Sequence, residues 1–438
     1  MQAGEKNELE ERHNQVVAER EREKIATEER HNQLVRDLKE SYSDALEWLY
    51  SVETISRDYW LDKGHTEEYA DEMEILLDSF IRIIKGLRMG TTGSSVWFLV
   101  FRLQDEEGNH ITADHDDVLM PYWTEFANAL IHWSKYHATG RERISMVSFF
   151  NVETPDAVLD ILRPALKQAK VNYVGLENNS TPQTWKLAEI IEDVIQTNHK
   201  VMHVSLGGNI LSNEEFQTIC NAIRRRNAEQ SSAMQCITLK KCFADGINTD
   251  MLKKILSCNT VAIWLAGNGL SSREAMIIAE FLNSNPTLAR LNLRDNRFYD
   301  ADAAVLANSL SSNTNLRSLD VSGNTAMTAD GRLSILRVIF DVSGLASCAA
   351  SNQSCRVFGF EQGHQLEQGI SSLNFYTNVV FNKLEKIFAM LALSEEHSFI
   401  NTALLSGVPA SLMPKLLYSA NYPSPEKQLY IQESQICI

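Results

Sequence analysis

Between residues 144 and 340 the apolar positions follow two alternating periods. In one, apolar residues occupy every second position, as at Leu291 and Leu293, which is the pattern of a short strand with one buried face. In the other they return at helical spacing, with Ile278, Ala279 and Leu282 before Asn285 and Leu306, Ala307 and Leu310 before Asn313. The strand segment LARLNLRDN (Leu288, Leu291, Leu293, Asn296) recurs as LRSLDVSGN (Leu316, Leu319, Val321, Asn324), with every member of the frame advanced by the step from 288 to 316. The same frame runs backward through Thr260, Ile263, Leu265 and Asn268, then Met234, Ile237, Leu239 and Cys242. It continues through Val201, Val204, Leu206 and Asn209, then Val171, Val174, Leu176 and Asn179. A weaker copy, Ile144, Val147 and Phe149, has Val152 where Asn should stand, so about seven units are predicted. One strand and one helix per unit cannot bury their apolar faces alone, which predicts an α/β fold in which successive units stack as a solenoid.

The recurrent asparagine has its own chemistry. Where each strand ends and the chain turns, buried N–H and C=O groups need partners, and a carboxamide both donates and accepts. Asn179, Asn209, Asn268, Asn296 and Asn324 are expected to form a ladder that holds the fold, with a thiol, Cys242, as the substitute in one unit.

The frame LxxLxLxxN, followed by a helix and returning at the step from 288 to 316, resembles the ribonuclease-inhibitor type of leucine-rich repeat over roughly 171–340. The run SNQSC at 351–355 and the segment VPASLMPKLL after the repeats are similar to members of this class from microalgae, a likeness that implies no activity. The units 171–200 and 201–233 are longer than that step, so the curvature is expected to be less regular than in uniform members. The resemblance implies a horseshoe whose concave face carries the positions that alternate with the buried strand residues. In order these are Met146, Ser148 and Phe150; Tyr173 and Glu177; His203 and Ser205; Thr238 and Lys240; Trp264; Arg290, Asn292 and Arg294; Ser318 and Asp320. Trp, Tyr and Arg dominate interface hot spots, and Lys240, Arg290 and Arg294 make a local basic patch around Trp264. The predicted partner-binding residues are therefore Tyr173, His203, Lys240, Trp264, Arg290, Asn292 and Arg294.

Outside the repeats, EERHNQ at Glu10–Gln15 returns at Glu28–Gln33, a step of about five helical turns. A charged helix is predicted there. Leu34, Leu38, Tyr42, Ala45 and Leu49 supply an apolar stripe that suits either a coiled coil or a helix docked on the rest of the chain. A solenoid exposes its core at each end, so capping segments are expected. Before the repeats, an amphipathic helix is predicted from Tyr69 to Leu87, a loop from Gly90 to Ser95, a buried strand from Val96 to Leu103, and a helix starting near Pro121 with Trp123, Phe126, Leu130, Ile131 and Trp133. Beyond the repeats the expectation is a last strand over Cys355–Phe360 and closing helices over Phe375–Leu393 and Ile400–Tyr418. The resulting domains are a charged helix at 1–57, an N-terminal cap at 58–143, repeats at 144–340 and a mostly helical C-terminal cap at 341–438.

Composition narrows the function classes. Forty-one basic against fifty-seven acidic residues give a net charge of −16, which opposes binding to nucleic acid or anionic lipid. The longest apolar runs, such as Val96–Phe101, are too short to span a membrane, and the segment 1–30 has no apolar core of a secretory signal. Seven cysteines without a CxxC pair suggest reduced thiols, hence the cytoplasm, with the nucleus as alternative. In that compartment the sequons at Asn178, Asn179 and Asn352 are idle. Gly86, Gly90 and Gly93 lack the Lys of a phosphate loop. Asp114, Asp116 and Asp117 with His110 and His115 lack the Gly and distant Glu of a calcium loop and are expected to be a solvated loop. No hydrolase, zincin or kinase signature occurs, so neither catalysis, a metal nor a cofactor is expected. The expected function is a scaffold that binds an acidic or apolar segment of another protein on the concave face, with homo-oligomerisation through residues 10–56 as a second contact. Two alternatives stand beside it: regulation of a GTPase, since Ran GTPase-activating proteins resemble this repeat type, and a structural coiled-coil component of a larger assembly.

Overall fold

A computed structural model describes residues 2–51, 55–90, 98–101, 103–104, 110–138, 144–179, 185–229, 232–243, 246–339, 351–352 and 354–359. The chain divides into two compact units, Met1–Asn172 and Tyr173–Ile438. The first contains α1 (Gln2–Ser51), α2 (Arg57–Asp62), α3 (Glu67–Met89), β1 (Phe98–Phe101), the short antiparallel pair β2 (Leu103–Gln104) and β3 (His110–Ile111), α4 (Met120–Tyr136), β4 (Ile144–Phe150) and α5 (Asp156–Gln168).

The helix predicted over 69–87 runs slightly further at each end. Thr66 caps it by accepting from the Tyr69 amide at 3.2 Å, and Gly90 closes it at φ 64°, where a Cβ would collide with the His137 ring. Pro121 lies in the first turn of α4, where its missing N–H leaves no bond unmade. These two helices meet through aromatic rings: Phe80 lies edge-on to Trp123 at 5.0 Å and Phe126 at 6.1 Å. Both latter rings touch Phe149 of β4, which runs parallel to β1 with Leu99 opposite Val147. Inside this apolar contact a buried ion pair joins Arg88 to Glu125 at 2.6 Å.

Of the expected stripe on the N-terminal helix, Leu34 is exposed and Leu38 half-buried. Val16, Val17, Ile25 and Leu34 are all exposed, and at roughly 100° per residue Ile25 falls opposite Val16 and Leu34, so the first half of α1 has no single apolar face. Further along, Asp37 accepts from Lys135 Nζ at 3.2 Å and from the Tyr136 hydroxyl at 3.4 Å, which lays α1 against α4. The side chains of Tyr42, Ala45 and Leu49 lie outside the described residues. The acidic loop at 114–117 is bound rather than solvated: Asp116 takes Lys63 and the Tyr59 hydroxyl, and the His115 amide donates to Glu153 at 2.8 Å.

The second unit repeats one strand and one helix. Strand β5 (Val171–Glu177), whose first residues overlap the boundary, is followed by α6 (Trp185–Thr197), β6 (His203–Ser205), α7 (Asn213–Ala228), β7 (Cys236–Thr238) and α8 (Thr249–Leu256). Then come β8 (Ala262–Trp264), α9 (Ser272–Asn283), β9 (Arg290–Asn292), α10 (Asp300–Ser312), β10 (Ser318–Asp320), α11 (Ala329–Ile339) and β11 (Arg356–Phe358). Strands β5 to β11 pair in sequence order and all in parallel. The register puts Val174, Val204, Ile237, Ile263, Leu291, Leu319 and Val357 in one buried row. Each removes a large aliphatic side chain from water, worth about 1.5–3 kcal/mol when complete.

The asparagine ladder is realised. Asn296 Nδ2 donates to the carbonyls of Leu265, Leu293 and Arg294 at 3.2, 2.9 and 3.2 Å, while its Oδ1 accepts from the amides of Asn268 and Leu270 at 3.0 and 3.1 Å. Asn209, Asn268 and Asn324 bridge adjacent turns in the same way, and the Cys242 thiol donates to Leu206 O at 3.2 Å in the substituted unit. A second series, which sequence reading did not single out, ties successive helix ends. Asn313 Nδ2 donates to Leu282 O at 2.8 Å, and Asn352 Nδ2 donates to Leu310 O at 2.6 Å. Asn352 thereby anchors β11 as a further turn of the repeat. Two of the three sequon asparagines, Asn179 and Asn352, are buried. The segments Phe375–Leu393 and Ile400–Tyr418 lie outside the described residues.

Candidate functional site

Opposite the buried row, the strands of the second unit present three rows of side chains. The first runs Tyr173, His203, Cys236, Ala262, Arg290, Ser318 and Arg356, and the second runs Gly175, Ser205, Thr238, Trp264, Asn292, Asp320 and Phe358. Backbone bonds beyond the strand ends continue the ladder into a third row, Glu177, Gly207, Lys240, Ala266, Arg294 and Ser322. All seven predicted partner-binding residues therefore fall on one face. The face is uneven, which alternation alone does not reveal: Ser205 and Thr238, expected among its exposed positions, are buried, as is Ser148 in the first unit.

At one side the face is internally bonded. The Tyr173 and His203 rings meet edge-on at 4.5 Å, the Tyr173 hydroxyl donates to Glu177 at 2.7 Å, and His203 Nε2 lies 3.2 Å from Thr238 Oγ1. Burial, followed by the positive charge of Arg290, pushes the His203 pKa down to about 4. Burial, followed by the charge of Glu177, raises that of Tyr173.

Trp264 lies on the central strand β8 and is 40% exposed. Its neighbours toward the core, Ile263 and Leu265, are buried as expected. On its own face the flanking residues are Ala262 on β8 and Ala266 just beyond it, both small and buried, so the indole stands out from its neighbours along the chain.

Cations border the indole. Lys240, Arg290 and Arg294 are exposed. Arg294 Nε pairs with Asp295 at 3.2 Å, whereas Lys240 and Arg290 have no ion-pair partner among the described residues. The acids of the face are engaged. Asp320 accepts from Asn292 Nδ2 at 3.2 Å and from the Ser322 amide at 2.9 Å, and Glu177 accepts from Tyr173. Arg356, beyond the predicted set, lies over the Phe358 ring at 4.6 Å.

Residues 312–336 match the family described as Leucine Rich repeat. That segment is one repeat. It covers the end of α10, β10, the Asn324 turn and most of α11, and the parallel sheet with its alternating helices fits a leucine-rich-repeat protein over the described residues of the second unit. Such repeats suggest protein–protein interaction in general. No curated protein matches the chain. Among the described residues no helix is long and apolar enough to cross a membrane, and no group of three or more His, Cys, Asp and Glu could hold a metal ion.

The histidines make the fold acid-sensitive above the carboxylate range. His132, buried on α4, has its pKa lowered to about 4, by desolvation first and then by the charges of Arg88, His137 and Lys135. Between pH 6.5 and 4 an unfolded chain binds protons that buried His132 and His203 refuse, so stability falls as pH falls through that window. For His132 the expected slope is about 1.4 kcal/mol per pH unit, and less for partly exposed His203. Urea unfolding at pH 7.5, 6 and 5 should show it, and His132→Phe should flatten the dependence; an unchanged slope in that variant would remove His132 as its source.

Proposed function

We propose that this chain is a protein-interaction scaffold that binds a partner protein on the concave face of a leucine-rich-repeat solenoid. Trp264, Arg290 and Arg294 form the centre of the site, and Tyr173, His203, Lys240 and Asn292 form its flank. The supporting observation is the half-exposed Trp264 bordered by Ala262, Ala266 and the two cations without acidic partners among the described residues, Lys240 and Arg290. Large rings left in water between small residues favour burial by a partner, and Trp and Arg contribute the largest share of interface energies. The reading includes no catalysis and no cofactor, and it places the protein in the cytoplasm. Its partner presents an acidic or apolar segment.

An affinity pull-down from native extract with the intact chain beside the Trp264→Ala, Arg294→Glu double variant tests this. A protein retained by the intact chain and lost with the variant is the expected outcome; equal retention by both would move the function to the helices. A second reading, self-association through α1, draws on the exposure of Val16, Val17 and Leu34. It predicts that deleting residues 1–56 lowers the number of copies per particle, taken as the light-scattering mass divided by the mass of one chain.

A further inference from the structure

We propose that the segment received by this face is an extended stretch of a partner protein with carboxylates at positions i and i+4 and an apolar side chain at i+2, lying along β8. This rests on the binding-face reading and specifies the chemistry of its occupant. The argument begins with the floor. Ala262, Trp264 and Ala266 succeed one another on one side of β8 and its continuation, at about 6.6 Å per pair of residues. An extended segment laid along them has the same repeat, so its residues i, i+2 and i+4 all face the sheet. The middle residue meets the indole, and the outer two lie over the positions of Ala262 and Ala266, whose own side chains are short and buried.

Charge selects what the outer residues are. Over Ala262, the register neighbours are Arg290 on β9 and Cys236 on β7. Over Ala266, Lys240 and Arg294 stand on either side, at positions joined to the central strand by the bonds Lys241 N to Ala266 O and Gly267 N to Arg294 O. The place over Ala262 is thus bordered by one long cationic side chain, Arg290, and the place over Ala266 by two, Lys240 and Arg294. Of the nearby acids, Asp295 pairs with Arg294, while Asp320 and Glu177 accept hydrogen bonds from neutral groups and keep their charge; Lys240 and Arg290 have no ion-pair partner among the described residues. The surplus on this face is of donors, on a chain whose net charge of −16 repels a continuous polyanion. A short acidic segment with an apolar centre satisfies the local cations and the indole without opposing the whole molecule.

Fluorescence anisotropy with the full chain tests the spacing as well as the charge. The probe is a labelled twelve-residue peptide with the core Glu-Ser-Phe-Ser-Glu. Its controls carry Lys for both Glu, Ser for Phe, or the second Glu moved one position inward. The acidic probe is expected to bind and each control to bind at least tenfold more weakly. Arg290→Glu, at an exposed position with no ion-pair partner among the described residues, should weaken the probe at least tenfold and recover affinity for a peptide with Lys at position i. Binding of the lysine peptide at least as tightly, indifference to the displaced Glu, failure of the acidic probe, or preference for a single-stranded oligonucleotide of equal length would each overturn the proposal. Should the acidic probe fail while a captured partner still depends on Trp264, the binding face stands and only its specificity is wrong. Failure of both would remove the face itself.

Discussion

Replacing Asn296 with Ala is expected to destabilise the repeat unit by about 3 kcal/mol, because three buried backbone groups lose their partner at once. Leu265 O and the amides of Asn268 and Leu270 depend on that carboxamide, whereas Leu293 O also accepts from Asn324 Nδ2 at 3.1 Å and Arg294 O from the Gly267 amide at 2.9 Å. The residue is 6% exposed, and the groups it serves belong to two successive turns, so the cost is shared between neighbouring repeats. Graded replacements separate the two roles of the amide. Asn296→Asp keeps the acceptor but loses the donors, and Asn296→Cys imitates Cys242, whose thiol donates to Leu206 O at 3.2 Å. The expected order of stability is wild type, Cys, then Ala. Urea denaturation followed by circular dichroism measures it, and a loss for Ala below about 1 kcal/mol, the usual size of one hydrogen bond, would show the ladder to be decorative.

Arg226→Met is expected to cost a similar amount, about 3–5 kcal/mol, by stripping four carbonyl groups of a charged donor. This arginine is buried on α7, and burial lowers its pKa. Its guanidinium donates to Ser232 O at 2.7 Å, Ile195 O at 3.1 Å, Asn198 O at 3.2 Å and His199 O at 3.3 Å. Three of these carbonyls close the C-terminal end of α6, where the helix dipole is negative, so the cation is held by oriented carbonyls and has no ion-pair partner among the described residues. Arg226→Lys should recover less than half of the loss, since an ammonium concentrates its three donors at one point and cannot span carbonyls from two loops. Thermal unfolding of the three proteins checks the order. Equal melting of the Lys variant and the wild type would mean that charge alone matters.

Much of this was written in the chain. The alternation at Leu291 and Leu293, the helical spacing after Asn296 and the returning asparagine specify a strand, a turn and a helix, because each is a local matter of period and polar satisfaction. Stacking followed from the same pattern, since no unit can hide its own apolar face. Side-chain placement across strands was only half legible. Alternation assigns Ser205, Thr238 and Trp264 to the same face, yet the first two are buried and Trp264 is not, because exposure depends on the size of neighbours one strand away. The stripe from Leu34 left a coiled coil and a docked helix equally open, because spacing on a helix says what could be buried and only a packed partner, such as α4 beside Asp37, buries it.

Sequence by itself therefore determined the repeat, its register and the asparagine ladder, all of which rest on interactions between residues a fixed number apart. Tertiary structure alone decided that Arg226 clamps α6, that Arg88 and Glu125 pair inside the first unit, and that Lys240 and Arg290 have no acidic partner among the described residues beside an open indole. Those facts depend on which side chains meet across elements that no period connects, and charge in a folded chain is defined by what it finds within a few ångströms.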